Sequence, residues 1–142
     1  MKSRKRSAAN SPPQPRPTYF VDVSLGRKVA EHINRLGHSV IFQTDIFPGE
    51  TKDEVWLRKV GEEGWVALTK DSNIRREPNV REAYLRAGAR VFTLVGGSMD
   101  SSKMCAAFEA AFPGMERLLQ RKQGPFIANV GKSGLTGTLY RW

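Results

Sequence analysis

Aspartates follow successive apolar runs in this sequence at positions that could gather carboxylates around a metal ion. Asp22 lies near the end of the first run, Asp45 directly follows the second, and Asp71 follows the third. A charged group among apolar neighbours costs free energy unless it is paired, hydrogen-bonded or bound to a metal. Aspartates also begin turns and cap helices. That explanation is preferred for Asp45, which precedes an irregular loop, and is weakest for Asp22, whose neighbours are the most apolar.

A predicted helix over residues 51–63 offers two more carboxylates, and their positions on it distinguish them. Thr51 and Glu54 have the spacing of a capping box, in which both side chains are occupied at the helix start. Glu54 also lies one turn before Arg58, a spacing typical of a surface ion pair. Asp53 instead shares a face with Trp56, which is expected to point at the sheet. We therefore favour Asp53 over Glu54 as the functional acid.

Asp22, Asp53 and Asp71 could approach one another only with a counter-charge. Two like charges about 4 Å apart repel by roughly 4 kcal/mol at an effective dielectric constant near 20. Protons or a cation must relieve this repulsion, and hard oxygen ligands select Mg²⁺ or Mn²⁺. Such an ion lowers the pKa of bound water and stabilises charge that develops on a phosphate. Carboxylates, a hard cation and a phosphodiester substrate therefore form a chemically consistent set.

The elements that must position these acids are short strands alternating with amphipathic helices. The predicted strands are 19–23, 39–44, 65–69 and 90–95. The alternation indicates an α/β fold with a mainly parallel sheet and helices on both faces, and ligands bind such sheets beyond the carboxyl ends of the strands. Two further apolar runs around a GKSG turn predict a C-terminal β-hairpin. A helix from about Ser101 is expected to break or kink at Pro113.

The length of 142 residues, with 39% hydrophobic and 26% charged residues, indicates globular composition. Residues 1–17 hold five basic side chains, four prolines and no acid, and are predicted to be a disordered basic tail. Residues 18–142 are predicted to form a single domain, with 18 basic and 14 acidic side chains. The tail could attract phosphates or be a plain solvated leader.

The sequence also bears on compartment. No apolar run approaches the ~20 residues that a membrane span needs, and the N-terminus lacks the apolar stretch of a secretory signal. The single cysteine, Cys105, cannot form an internal disulfide. These features predict a reducing, cytoplasmic setting without membrane association.

The ordered segments YFVDVSLG, LGHSV, KDEVWL, GWVALTKDSNIRR and PFIANV resemble PIN-like domains, and most closely the short VapC-type toxins of bacterial toxin–antitoxin pairs. The resemblance covers roughly residues 19–130. It implies a three-layer α/β/α PIN-like fold and a Mg²⁺- or Mn²⁺-dependent endoribonuclease, usually a homodimer, restrained by an antitoxin protein. Asp22, Asp53 and Asp71 match the family's acidic positions, so the resemblance assigns them as catalytic residues and metal ligands.

Some residues near these acids have open roles. Relatives often carry a second aspartate where this chain has Asn73, which removes a possible charge from the metal site. Asp100 could supply a fourth acid or cap the next helix. Lys70, Arg75 and Arg76 flank Asp71 and could contact RNA phosphates, or could belong to a solvated loop.

Two other functions stay open on the sequence alone. A PIN-like module that binds RNA or a protein without cutting is favoured by Asn73 and by the uncertain fourth acid. A DNA nuclease on the same acidic scaffold is less expected for so short a chain. Metal-stimulated cleavage separates the first from a ribonuclease, and competition between RNA and DNA separates the second.

Overall fold

The computed structural model describes residues 16–140. Its strands are β1 Thr18–Val21, β2 Ser39–Phe42, β3 Val66–Thr69, β4 Arg90–Leu94, β5 Phe126–Gly131 and β6 Gly134–Tyr140. They form one sheet in the order β2-β1-β3-β4-β5-β6. The first five strands are parallel, and β6 pairs antiparallel with β5. The predicted disordered tail lies outside the described residues except for Arg16 and Pro17.

Helices cover both faces of this sheet. They are α1 Arg27–Arg35, α2 Gln43–Ile46, α3 Asp53–Glu63, α4 Asn73–Arg76, α5 Pro78–Ala87 and α6 Ser101–Arg121. One buried cluster joins α1 and α6 to the sheet, and a second joins α3, α4 and α5 to its other face. The predicted three-layer α/β/α fold with a mainly parallel sheet and a C-terminal hairpin is confirmed. Within residues 16–140 no helix combines the length and apolar character of a membrane span.

The first strand shows how the apolar runs build both layers. Tyr19 and Val21 belong to the cluster under α1 and α6, whereas Phe20 belongs to the cluster under α3 and α5, and all three are fully buried. Alternate side chains of a strand point to opposite faces, so a run buried on both faces must be apolar throughout. Asp22 follows at the position that continues the Phe20 face, at the carboxyl edge of the sheet.

Helices α3 and α5 pack at very short range because of one glycine. A Cβ atom placed on Gly61 would come 2.3 Å from the carbonyl oxygen of Ala87 and 2.4 Å from its Cβ. Both helices end at glycines in the left-handed conformation, Gly64 and Gly88, with φ of 71° and 68°. The close packing fixes α3, which begins with Asp53, against the rest of its layer.

The second strand is shorter than predicted. It ends at Phe42, and residues Gln43–Ile46 form the helical turn α2 instead of continuing the strand to residue 44. The Gln43 side chain is buried, and its Oε1 accepts a hydrogen bond of 3.1 Å from the backbone N–H of Val23. This bond ties the segment after β2 to the segment after β1, which explains the early turn.

The predicted capping box at the start of α3 is wrong. Lys52 is the N-cap residue and no side chain caps the helix. The Thr51 hydroxyl donates a 2.6 Å hydrogen bond to the carbonyl oxygen of Pro48 instead, so it stabilises the preceding loop. The described residues also contain no ion pair between Glu54 and Arg58.

The helix does not break at Pro113, one of the two predicted outcomes, since α6 runs without interruption from Ser101 to Arg121. Phe112 and Met115 on either side of the proline are buried, and the Phe112 ring lies 5.1 Å from that of Tyr19 and 4.0 Å from that of His38. Packing along an amphipathic face supplies most of the stability of a helix in a protein. Here it outweighs the backbone hydrogen bond that proline removes.

Candidate acidic site at the carboxyl edge of the sheet

Asp22 directly follows β1 and is almost fully buried, with 4% of its surface exposed. Its backbone N–H donates a 3.0 Å hydrogen bond to the carbonyl oxygen of Leu68, which continues the pairing of β1 with β3. The Ser24 hydroxyl donates to Asp22 Oδ2 at 2.7 Å, and the Thr69 hydroxyl donates to the same oxygen. Two hydroxyl donors thus stabilise the buried carboxylate and fix its orientation.

Asp71 lies in the loop after β3 and is held close to Asp22 through Thr69. Its backbone N–H donates to Thr69 Oγ1 at 3.0 Å, and its own Oδ1 accepts from the backbone N–H of Asn73 at 2.8 Å. The second contact is an Asx turn, in which an aspartate bonds the backbone two residues on. Asp71 therefore does stabilise a turn, and the same hydrogen bond fixes the orientation of its carboxylate.

Asp53, the first residue of α3, brings a third carboxylate to the same place. Its Oδ1 accepts a 3.0 Å hydrogen bond from the indole N–H of Trp56, whose side chain is fully buried. This confirms that Asp53 and Trp56 share a helical face. Burial is the largest cause that raises the pKa of Asp53 to about 6, followed by the charge of Asp71, a hydrogen bond with its carboxyl group and the charge of Asp22. The bond from Trp56 acts in the opposite direction.

All three carboxylates accept hydrogen bonds from the protein. Each has at least one oxygen held by a protein donor: Oδ2 of Asp22, Oδ1 of Asp53 and Oδ1 of Asp71. Asp53 lies next to Asp71, and Asp22 is near enough for its charge to act on Asp53. Within residues 16–140 no three His, Cys, Asp or Glu side chains form a complete metal-binding group. The site is therefore a carboxylate pair with a third carboxylate nearby.

The other candidate acids have different surroundings. Asp45 is exposed and forms a 3.0 Å ion pair with Arg27. Asp100 caps α6, since its Oδ1 accepts a 2.9 Å hydrogen bond from the backbone N–H of Lys103. Both residues have contacts that account for them without a metal ion.

The three cations near Asp71 are not equivalent. Arg75 lies over the ring of Tyr140, with its guanidinium carbon 4.8 Å from the ring centroid, so it joins α4 to β6 through a cation–π contact. Arg76 is exposed. Lys70 is half-buried, and its backbone N–H donates to the Ser24 hydroxyl at 3.1 Å. Within the described residues neither Lys70 nor Arg76 forms an ion pair.

The residues that orient the acids were not predicted from the sequence. Ser24 and Thr69 donate to Asp22, and buried Gln43 holds the backbone beside it. One signal for Thr69 was available. It ends an apolar strand two residues before Asp71, on the strand next to Asp22, so its hydroxyl had to face either a polar group or a second apolar layer. The role of Gln43 was not predicted because residues 39–44 were all interpreted as strand.

The chain is similar in sequence to known proteins over most of its length. The family described as "PIN like domain" matches residues 17–96, a segment that contains Asp22, Asp53 and Asp71. A Mycobacterium tuberculosis protein named "Putative ribonuclease VapC45" is 31% identical over 126 residues, which are 84% of this chain and 90% of that protein. No solved structure matches the chain.

Proposed function

The chain belongs to the PIN-like domain family, with its VapC-type members, and on that premise we propose that it is a metal-dependent endoribonuclease that hydrolyses RNA phosphodiester bonds. The observation that carries the proposal is that buried Asp22 lies with Asp53 and Asp71 at one edge of the sheet, where the charges of Asp71 and Asp22 both act on Asp53. Carboxylates held this close are unfavourable unless a proton or a cation lies between them. A relative at 31% identity bears a ribonuclease name, which supports RNA as the substrate.

The donor set fits a hard divalent cation. Mg²⁺ is commonly bound through one or two carboxylates while it keeps several waters, so the pair Asp53 and Asp71, with Asp22 nearby, suffices without a larger cluster. Mn²⁺ accepts the same oxygen ligands. When bound, such an ion would supply an activated water and would neutralise charge on the phosphate.

The chain's own residues prepare the site for that chemistry. Ser24 and Thr69 hold Asp22, while Trp56 holds Asp53. Catalysis gains when charged groups are oriented before the substrate arrives, because no reorganisation is then needed during the reaction. We assign Asp22, Asp53 and Asp71 as the catalytic and metal-binding residues on this basis.

Cations beside Asp71 would hold the RNA backbone. We assign Lys70 and Arg76 to direct phosphate contacts because neither has an acidic partner among the described residues. Arg75 keeps one face on Tyr140, and its remaining guanidinium donors can still reach a phosphate.

The decisive experiment is cleavage of a mixed RNA panel by wild type, Asp22→Asn and Asp71→Asn with Mg²⁺, Mn²⁺ or EDTA. Cleavage by wild type should require the metal. Each variant should lose more than ~100-fold in rate, because even partners that only orient a ligand are worth ~10–100-fold. Asp45→Asn is the matched control, since its exposed carboxylate pairs with Arg27. A folded, fully active Asp71→Asn protein would refute the assignment.

We further propose that the nuclease is the toxin of a toxin–antitoxin pair and acts as a homodimer. Expression of wild type in a bacterial host should arrest growth, whereas Asp71→Asn should not. Light scattering of the purified protein gives the oligomeric state. Normal growth with abundant, soluble wild type would count against the toxin role and leave the nuclease assignment to the cleavage assay.

A second function is favoured by one observation, the lack of a complete three-ligand metal group within residues 16–140. A PIN-like module that binds RNA or protein without cutting would have this property, and Asn73 in place of a further acid agrees with it. Well-folded wild type that binds RNA but cuts none with either metal would establish this alternative.

A further inference from the structure

A row of polar side chains continues from the acidic site along the carboxyl edge of the sheet. Thr69, Thr93 and Asn129 are register partners on β3, β4 and β5. Each follows, by two positions, an apolar residue of the cluster under α3 and α5, so all three face that same side of the sheet. The row therefore starts at the hydroxyl that supports Asp22 and leads away from the carboxylates.

Asn129 is the accessible member at the far end of this row. Thr93 is 3% exposed and forms its floor, whereas Asn129 is partly exposed. Neighbouring strands lie about 4.8 Å apart, which puts Asn129 roughly 10 Å from Thr69. Among residues 16–140 the Asn129 amide has no hydrogen-bond partner. A side-chain amide has two N–H donors and a carbonyl acceptor, so this group is available for an external ligand.

Two lysines lie near this edge of the sheet. Lys70 directly follows Thr69, and Lys132 directly follows β5. The Lys132 Cγ would lie 4.0 Å from a Cβ placed on Gly96, so the lysine stem runs over the segment just beyond β4. Neither lysine has an ion-pair partner in the part of the chain that the structure describes. Of the two, Lys70 lies directly between the row and Asp71 in the sequence, so it is the cation placed to hold a phosphate beside both.

We propose that Asn129 determines substrate specificity by hydrogen-bonding the base edge of a nucleotide beside the cleaved bond, while Lys70 holds a neighbouring phosphate. The inference rests on the proposed ribonuclease function. A phosphate offers only acceptors and would leave the amide carbonyl unpaired, whereas a base edge offers both donors and acceptors. Proteins read single-stranded RNA through such edges, so the base is the better partner for this amide.

The test measures base preference. Short single-stranded RNAs that differ in one nucleotide on either side of the cleaved bond are cut by wild type, Asn129→Ala and Gln120→Ala with Mn²⁺. Wild type should prefer one base at one position by about tenfold or more, as a paired amide contact gives. Asn129→Ala should reduce that ratio towards one. Gln120→Ala removes an exposed amide near the C-terminal end of α6, which leads into the start of β5 and so lies at the opposite edge of the sheet. This variant should keep the wild-type ratio.

A conservative variant keeps the inference testable if Asn129→Ala does not fold. Asn129→Asp preserves the shape and replaces the two donors by an acceptor, so the preferred base should change to one that presents a donor. An unchanged preference in either folded variant would overturn the inference, and so would equal slowing of all substrates, since that result indicates a loss of general binding.

Binding in EDTA separates this inference from the nuclease proposal. If wild type cuts no RNA with either metal, the proposed function fails, and equilibrium binding of the four homopolymeric RNAs then decides the role of Asn129. Affinities that differ for wild type and become similar for Asn129→Ala support the inference. The same ranking in both proteins, or no RNA binding by wild type, overturns it.

Discussion

At the acidic site, single residues act through the hydrogen bonds that orient the carboxylate oxygens. Thr69 donates to the Asp22 carboxylate and accepts from the backbone N–H of Asp71, so one hydroxyl ties together the segments that follow two adjacent strands. Such orienting partners are typically worth ~10–100-fold in metal affinity or activity. Thr69 is therefore expected to influence the site almost as strongly as a residue that contacts the metal.

Replacement of Thr69 by valine tests this expectation. Thr69→Val keeps the branched shape but removes the hydroxyl, and it should raise the Mn²⁺ concentration for half-maximal cleavage by ~10–100-fold. Thr136→Val is a suitable control because Thr136 is exposed on β6. Equal metal dependence in wild type and Thr69→Val would mean that Ser24 alone orients Asp22.

Asp53 is predicted to destabilise the metal-free protein at neutral pH although cleavage requires it. A carboxyl whose pKa rises to about 6 on folding binds protons more tightly in the folded state, so stability falls as pH increases from about 4 through 6. Asp53→Asn should raise the Tm at pH 7.5 in EDTA by about 2–4 °C, equivalent to ~1 kcal/mol after allowance for half-exposure, and should abolish cleavage. A lower Tm would show that the carboxylates do not repel one another in the metal-free protein.

Among elements, the contact of α3 with α5 controls where Asp53 lies. Gly61→Ala would push a Cβ to 2.3 Å from the Ala87 carbonyl oxygen, and overpacking of this kind costs ~1–3 kcal/mol. Urea denaturation should show that loss. The matched control is Gly49→Ala, where a Cβ meets nothing within 4 Å. Wild-type stability of Gly61→Ala would indicate that the two helices separate without cost.

The elements themselves were largely predictable, and the exceptions have physical causes. Buried parallel strands are continuous apolar runs, which is why β1, β3 and β4 could be located within one or two residues. The differences at Gln43, Thr51 and Pro113 arise from tertiary contacts: a buried amide bond, a loop hydrogen bond and aromatic packing. Such contacts override local propensity and cannot be read from spacing alone.

Residues of the candidate site could be proposed from the sequence where the helical spacing and the type of side chain indicated the same residue. Asp53 was preferred to Glu54 because it shares a face with Trp56, and the indole bond confirms that shared face. The capping argument against Glu54 was wrong, although it favoured the same residue. The part played by Thr69 and Ser24 could not be derived, because hydroxyl contacts depend on strand register.

For the whole molecule, charge should govern RNA affinity. The chain carries a net charge of +9, and residues 2–15 hold four of its basic side chains and no acid. For Asp71→Asn in EDTA, log K should fall linearly with log salt, by about 0.7 per phosphate contact. Deletion of residues 2–15 should reduce that slope by up to about 3. An identical slope would mean that the tail does not contact RNA.

The carboxylates of the acidic site all lie between residues 22 and 71, whereas Asn129 and Lys132 belong to the second half of the chain. Within residues 16–140 the two halves meet where β3 pairs with β4, where α1 packs beside α6 and where Arg75 of α4 lies over Tyr140 of β6. A chimera that joins residues 1–88 of this chain to the later strands of a relative would keep its cutting chemistry and acquire a different sequence preference. Diversification of such proteins can thus proceed by exchange of one contiguous segment, without simultaneous change at the acids.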